Sequence, residues 1–164
     1  GVSRMSDSNS IITAAKLSSA VYDVSGSPND WDIINDARSE SEGSGFDAVT
    51  YYNKKTNEVY IVYRGSEDAG DFSTDYDLGV GTLSSQFGEA TDFYDSSMEV
   101  LSDRGITPSA PIITGHSLGG ALATYVGIKR GKETITFNAP GIGQLPESGV
   151  KGDLSGYANI LNIR

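Results

Sequence analysis

The length and composition of the chain fit one folded domain and exclude several classes of protein. Its 164 residues are 37% hydrophobic and 21% charged, which is typical of a globular protein rather than a disordered one. The 12 Lys and Arg residues against 22 Asp and Glu residues give a formal net charge of -10. This charge repels phosphate backbones, so we expect no nucleic-acid partner. The absence of cysteine excludes disulfides, thiolate metal sites and cysteine nucleophiles.

The sequence leaves the cellular compartment open. No apolar run approaches the length of a membrane span, so no transmembrane segment is expected. Residues 1–10 are too polar for a signal peptide, and any export signal has been removed or lies elsewhere. The acidic balance suits a secreted or salt-tolerant protein, although many cytosolic proteins are acidic too.

The first elements along the chain are a helix and a loop. Apolar residues fall largely on one face of Ser8–Tyr22, which predicts a helix capped by Asp7 or Ser8. Ser25–Gly45 is rich in Ser, Gly, Asp and Asn, which predicts a surface loop around a short segment at Trp31–Ile34.

Two strands joined by a turn follow. Phe46–Tyr52 alternates between apolar and polar residues, and we expect it toward an edge of the sheet. Glu58–Tyr63 is a nearly continuous run of β-branched and aromatic residues, which predicts a strand buried on both faces.

The second half of the chain predicts a loop and then alternating helices and strands. A loop or lid is expected over Asp71–Phe87, because this stretch is rich in Gly, Ser and Asp. The remaining predictions are helices over Glu89–Asp103 and Leu118–Lys129, and strands over Pro111–Thr114, Glu133–Phe137 and Asn159–Ile163. No linker or internal repeat divides residues 1–164, so the pattern predicts one α/β domain, a three-layer sandwich with a mostly parallel central sheet.

Residues Gly115–Gly120 (GHSLGG), here called the elbow, carry the chemistry that the sequence predicts. A bare G-x-S-x-G match is weak evidence in a chain with 20 glycines. The context strengthens it, because a short apolar strand precedes the motif and a helix follows it, as a nucleophile elbow requires. The alternative is a glycine-rich corner between strand and helix that has no catalytic role.

Each position of the elbow has a physical reason in such a turn. A sharp turn would hold Ser117 in a strained backbone conformation and lift its hydroxyl clear of the sheet. Gly115 and Gly119 lack the Cβ atoms that would collide where strand and helix meet. The amide of Leu118 would lie at a helix N-terminus and face a developing oxyanion.

The elbow and its surroundings resemble the class 3 (fungal-type) lipase family of the α/β-hydrolase superfamily. ITGHSLGGALATYVG is followed by TFNAPGIG, which is similar to the family's nucleophile segment and its Ala-Pro-x-x-Gly turn at Ala139–Gly143. Upstream, YRGS is similar to the family's R-G-S/T motif, and this implies that Ser66 supplies the second oxyanion donor. Asp71–Asp75 resembles an Asp-Trp-x-x-Asp segment, with Phe72 in place of Trp. The resemblance implies an α/β-hydrolase fold and a serine carboxylester hydrolase with Ser117 as its nucleophile.

The resemblance also implies a triad Asp and His, and both would lie beyond residue 164. His116 is the only histidine of the chain. It directly precedes the nucleophile, and neighbouring side chains diverge at a tight turn, so it cannot act as the base for Ser117. We therefore expect a partial catalytic domain, incomplete at its C-terminus, whose isolated chain is at most weakly active. A complementary C-terminal chain, or a dimer that pairs at the open sheet edge, is the expected protein partner.

The expected substrates are lipid or other carboxylic esters, as for a lipase, phospholipase A1 or esterase. A serine hydrolase of this kind needs no metal or cofactor, and none is expected. Asp71, Asp75 and Asp77 could suggest a Ca²⁺ loop, but they lack the ligand spacing of an EF-hand. One alternative is an inactive lipase-like protein that acts by binding or regulation. An acyltransferase or thioesterase shares the elbow, but the R-G-S and A-P-x-x-G motifs favour the lipase family.

Overall fold

The structure is a computed structural model that describes residues 7–22, 27–38, 47–64, 76–139 and 157–164, with the backbone alone for residues 76–85. Its helices are α1 (Ser8–Ala20), α2 (Tyr76–Asp103) and α3 (Leu118–Arg130), and its strands are β1 (Asp32–Asp36), β2 (Asp47–Asn53), β3 (Glu58–Arg64), β4 (Ile112–His116), β5 (Glu133–Phe137) and β6 (Ile160–Ile163). The predicted α/β class is confirmed.

The described strands form one six-stranded sheet in which spatial order follows chain order, β1 to β6. The first three strands pair antiparallel, and β3, β4, β5 and β6 pair parallel. The parallel pairs bring the carboxyl ends of β3, β4 and β5 to one edge of the sheet, and the elbow lies at that edge, where β4 ends.

The sheet lies between two helical layers. Along β3, Tyr60 and Val62 pack against α1, whereas Ile61 and Tyr63 pack against α2 and α3. We call these two sides the α1 face and the α3 face. Because successive side chains of a strand alternate between faces, the near-continuous apolar run of β3 fills both cores. The predicted burial of β3 on both faces is confirmed, and so is the three-layer sandwich.

Helix α1 forms as its sequence predicts. The Asp7 carboxylate accepts a hydrogen bond from the Asn9 amide at 3.2 Å and caps the helix. Ala14 and Leu17 are buried in the α1-face core, and Ser18 forms a buried 3.1 Å hydrogen bond with Thr114 of β4. The helix ends at Ala20, two residues before the predicted end.

The predicted loop over Ser25–Gly45 contains strand β1, and this corrects the position of β2. Strand β1 pairs with β2 and takes the edge, so β2 lies between two strands. Only Ile34 of β1 is buried, and the strand pairs through a register shift between Ile33 and Asn35. A short, polar, irregular strand of this kind is typical of a sheet edge, and its composition resembles that of a loop.

The predicted loop or lid over Asp71–Phe87 is wrong for its second part. Helix α2 begins at Tyr76 and continues without a break through the helix predicted at Glu89–Asp103. Phe87 is buried and stacks on the ring of Tyr125 in α3 at a centroid distance of 4.4 Å. Packing against α3 therefore supports a helix whose start has a loop-like composition. Residues 71–75 lie outside the described part of the chain.

Candidate active site

The turn between β4 and α3 consists of Ser117 alone. Strand β4, predicted to end at Thr114, continues to His116, and α3 begins at Leu118. Ser117 has φ 55° and ψ -122°, a conformation that residues with a Cβ atom rarely adopt. Its amide donates to the carbonyl of Phe137 at 2.8 Å, and its carbonyl accepts from the amide of Ala121 at 3.2 Å. The predicted strained strand–turn–helix is present in the structure.

The glycines of the elbow allow α3 to lie directly on the ends of two strands. A Cβ atom on Gly115 would overlap the carbonyl of Gly119. A Cβ atom on Gly119 would overlap the carbonyl of Tyr63 and lie 2.9 Å from the Cα of Arg64. These atoms are main chain and cannot rotate away, so the close approach of strand and helix requires glycine at both positions.

The amides at the start of α3 point out of the helix without intrahelical partners. Ala121 is the first residue whose amide bonds back to Ser117, so the amides of Leu118, Gly119 and Gly120 precede the hydrogen-bonded turns. These amides carry the positive end of the helix dipole. Ser117 is half-buried, and its side chain makes no capping hydrogen bond to the helix. The arrangement leaves a hydroxyl beside a set of donors that favours negative charge.

His116 lies on the α1 face of the sheet. Along β4, Thr114 contacts Ser18 of α1, and His116 is two residues further along on the same face. The His116 side chain is exposed and lines a cavity of about 400 Å³. The other residues lining this cavity are Ala15, Ser18, Ser19, Tyr22 and Phe137. This cavity could not be predicted from the sequence, because its walls come from α1 and from the parallel strands β4 and β5.

The end of β3 is held beside the elbow. Tyr63 lies opposite Gly115 in the parallel register, so β3 and β4 end side by side. The Arg64 guanidinium is 3.4 Å from the carboxylate of Asp47 and lies over the ring of Tyr22, 4.5 Å from its centroid. The predicted oxyanion donor Ser66 comes two residues later and lies outside the described residues.

Tyr63 is a structural residue of this region. Its hydroxyl donates to the carbonyl of Ala90 in α2 at 2.6 Å. Burial raises the pKa of the Tyr63 phenol well above its ordinary value, because the phenolate would lose its hydration. The side chain therefore stays protonated at neutral pH and links β3 to α2.

Asn162 of β6 binds main chain next to the elbow through its side-chain amide, a contact that the sequence does not predict. Its Oδ1 accepts from the amide of Ala139 at 3.1 Å and from the hydroxyl of Thr136 at 2.9 Å. Its Nδ2 donates to the carbonyl of Ala139 at 3.1 Å. The available signal was an asparagine inside the predicted strand NILNI, because asparagine is depleted in strands.

The described part of the chain contains neither a cluster of possible metal ligands nor a helix that could span a membrane. Among residues 7–22, 27–38, 47–64, 76–139 and 157–164, no group of three or more His, Cys, Asp or Glu side chains could hold a metal ion. The carboxylates of Asp71 and Asp75 lie outside these ranges, and the Asp77 side chain is not described. No helix within these ranges is long and apolar enough to cross a membrane.

Comparison with known proteins finds a matching family and a curated relative. The model of a phospholipase-like family, the Tle-like phospholipase domain, matches residues 13–147. The extracellular phospholipase A1 of Serratia liquefaciens is 31% identical over 109 residues, which are 66% of this chain and 32% of that protein. The chain thus spans about a third of the length of this curated relative.

Solved lipase structures share the fold. Lipase II of Rhizopus niveus matches with a TM-score of 0.61 at 20% identity, over 80% of this chain and 62% of that chain. The Lip2 lipase of Yarrowia lipolytica matches with a TM-score of 0.64 at 13% identity, over 81% of this chain and 60% of that chain. The predicted α/β-hydrolase fold and the resemblance to fungal lipases are confirmed.

Proposed function

This chain belongs to the Tle-like phospholipase domain family, and we propose that it carries the nucleophile part of a carboxylic ester hydrolase acting on lipid esters. One observation carries the proposal: Ser117 stands alone between β4 and α3 with φ 55° and ψ -122°, beside the positive end of α3. A strained serine whose side chain does not cap the adjacent helix is expected where the hydroxyl must be presented to a substrate.

The proposed reaction is acyl transfer in two steps. The Oγ of Ser117 attacks the ester carbonyl, the carbon–oxygen bond of the ester breaks, and the alcohol leaves with a proton. Water then attacks the acyl-enzyme, the bond between Oγ and the acyl carbon breaks, and the carboxylic acid leaves as the serine hydroxyl is regenerated. The amide of Leu118, at the start of α3, donates to the oxyanion of each tetrahedral intermediate.

We assign the second oxyanion donor to Ser66. Tyr63 lies opposite Gly115 in the parallel register of β3 and β4. Ser66 comes shortly after Tyr63, and Ser117 comes shortly after Gly115, so the two serines follow neighbouring strand ends. The two residues after Arg64 span at most about 7 Å, which limits how far Ser66 can be from the elbow. The contact of Gly119 with the carbonyl of Tyr63 supports this proposal, because it joins the end of β3 to the start of α3.

The general base is proposed to come from residues beyond 164. His116 is the only histidine of the chain, and it lines the cavity on the α1 face. The resemblance to class 3 lipases implies a His and an Asp after the strand that corresponds to β6. Among the described strands β6 has β5 as its neighbour, and its other edge offers backbone groups for pairing. A complementary C-terminal chain, or a second copy of this one, would pair there.

The second candidate is a lipase-like protein that keeps the elbow and acts by binding or regulation. The nucleotide sequence after the codon of Arg164 discriminates the two. An Asp codon within a few positions and a His codon further on would support the hydrolase, whereas a stop codon would support the binding protein.

The test uses the product of the full reading frame and its Ser117→Ala variant. Hydrolysis of p-nitrophenyl esters and of a diacyl phospholipid is measured, together with labelling by a fluorophosphonate. We expect Ser117→Ala to lower kcat by at least about a thousandfold and to abolish labelling, with unchanged thermal unfolding. Undiminished turnover by the variant would overturn the proposal. Residues 1–164 alone should be at most weakly active and should gain activity when the downstream segment is added.

A further inference from the structure

We propose that Asn162 is a positioning residue for the elbow, because its side chain holds the main chain of Ala139 against the first turn of α3. This inference rests on the proposed function of Ser117. It concerns a side chain on the last described strand, which has no part in the R-G-S, G-H-S-L-G or A-P-x-x-G motifs.

The hydrogen bonds of Asn162 define one orientation of its amide. A backbone amide can only donate and a backbone carbonyl can only accept, so Oδ1 must face the amide of Ala139 and Nδ2 must face its carbonyl. The Thr136 hydroxyl then donates to the same Oδ1 at 2.9 Å. Asn162 thus forms hydrogen bonds with both the backbone amide and the backbone carbonyl of Ala139. The two bonds together restrain the position of Ala139.

The chain needs this support because it leaves the sheet ladder at Asn138. Among the described residues, the last backbone hydrogen bond from this segment to β6 is donated by the amide of Asn138 to the carbonyl of Ile163 at 2.8 Å. Asn138 itself has φ 52°, which turns the chain away from β6. Ala139 is 6% exposed, so its backbone groups require partners inside the protein. The Asn162 side chain supplies the partners that the ladder no longer provides.

The position of Ala139 is transmitted to the elbow through packing. The methyl group of Ala139 lies 2.6 Å from the place where a Cβ of Gly120 would be, so Ala139 lies tightly against the first turn of α3. Two residues earlier, the carbonyl of Phe137 accepts the amide of Ser117 at 2.8 Å. The segment from Phe137 to Ala139 therefore supports Ser117 from one side and the helix start from the other. A shift of Ala139 would move the nucleophile relative to the amide of Leu118.

Asn159 offers a matched control just before the same strand. Its Nδ2 donates to the carbonyls of Gly127 at 3.1 Å and Lys132 at 2.8 Å. It therefore also binds main chain through its side-chain amide, but it does so at the C-terminal end of α3, away from the elbow. Removing it should cost stability without changing the position of Ser117.

The experiment compares Asn162→Ala, Asn162→Asp and Asn159→Ala in the product of the full reading frame. We measure kcat and KM for a p-nitrophenyl ester, the rate of fluorophosphonate labelling, and the melting temperature. Asn162→Ala should lower kcat and the labelling rate by about 10- to 100-fold at a nearly constant KM, because misplacement of the reacting atom weakens the transition state rather than binding. Asn162→Asp keeps the acceptor but places a carboxylate oxygen against the carbonyl of Ala139, so it should lower kcat and the labelling rate as well. Asn159→Ala should lower the melting temperature and leave kcat unchanged.

Equal kcat values for Asn162→Ala and Asn159→Ala, each corrected for the folded fraction, would overturn the inference. If Asn162→Ala does not fold, wild-type kcat and labelling in Asn162→Asp would overturn it as well. Ser117→Ala is assayed in parallel. Loss of turnover there together with normal Asn162 variants contradicts only this inference, whereas retained turnover in Ser117→Ala contradicts the proposed function itself.

Discussion

Four described residues other than glycine have positive φ, and two of them, Asn57 and Ser117, lie in turns that accommodate this conformation differently. In the hairpin between β2 and β3, Asn57 has φ 60°, and its side chain bonds to the Tyr52 hydroxyl and to the Thr107 carbonyl, each at 3.0 Å. In the elbow, Ser117 has φ 55° and its side chain makes no capping bond. Asparagine tolerates positive φ better than serine does. The hairpin thus holds its unusual conformation with hydrogen bonds of the Asn57 side chain, whereas the elbow depends on close packing around Ser117, as expected where strain serves a function.

The largest effect should come from disturbing the close packing of α3 on β3 at the elbow. Gly119→Ala would place a methyl group against the carbonyl of Tyr63, so we expect the free energy of unfolding to fall by about 3 kcal/mol. Gly88→Ala is the matched control, because Gly88 lies in α2 with no atom within 4 Å of an added Cβ. It should raise the free energy of unfolding by about 0.5 to 1 kcal/mol through helix propensity. Urea unfolding measures both, and equal values for the two variants would mean that α3 can move off β3 without cost.

The strain at the elbow should appear as a gain of stability in Ser117→Gly. Glycine adopts positive φ without a Cβ penalty, so we expect the free energy of unfolding to rise by about 1 kcal/mol after the entropy cost of glycine is included. Ser117→Ala keeps the Cβ atom and should show no such gain. Chemical unfolding of both variants tests the expectation. A loss of stability in Ser117→Gly would show that the elbow is not strained.

The smallest effect is expected in the hairpin. Asn57→Gly relieves the same positive φ but removes two side-chain hydrogen bonds, so the free energy of unfolding should fall by about 0.5 kcal/mol. Measured under one set of conditions, the free energy of unfolding should fall in Asn57→Gly and rise in Ser117→Gly. This difference in sign is the most direct test of the comparison between the two turns. If both variants gain stability, the two turns store strain alike.

The local parts of the fold could be predicted from the sequence. Strand β5 has the predicted bounds, Glu133–Phe137, and the strained turn at Ser117 was predicted from a short apolar strand, a glycine-flanked serine and a helix. In these segments the residues that decide the structure are close together in the chain. The resemblance to class 3 lipases then added Ser66, whose role stays a prediction.

The rest depended on contacts between distant residues. Strand β1 exists because it pairs with β2, although most of its residues are polar or exposed. The start of α2 has the glycine- and serine-rich composition of a loop, and the described contact of this helix with α3 lies further along, where Phe87 stacks on Tyr125. Asn162 acts on Ala139, 23 positions earlier, and that pairing exists only after β5 and β6 come together. No local pattern encodes such a contact.

The contact of Gly119 with β3 has a consequence for how freely the surrounding sequence can change. A Cβ atom on Gly119 would meet the carbonyl of Tyr63 and the Cα of Arg64, and every amino acid has these backbone atoms. The contact therefore constrains the glycine strictly and leaves the identity of its two neighbours open. Substitutions at positions 63 and 64 would be limited by the contacts that the Tyr63 side chain makes with α2 and the Arg64 side chain makes with Tyr22. Helix α3 packs on the backbone of these two residues and would not limit them.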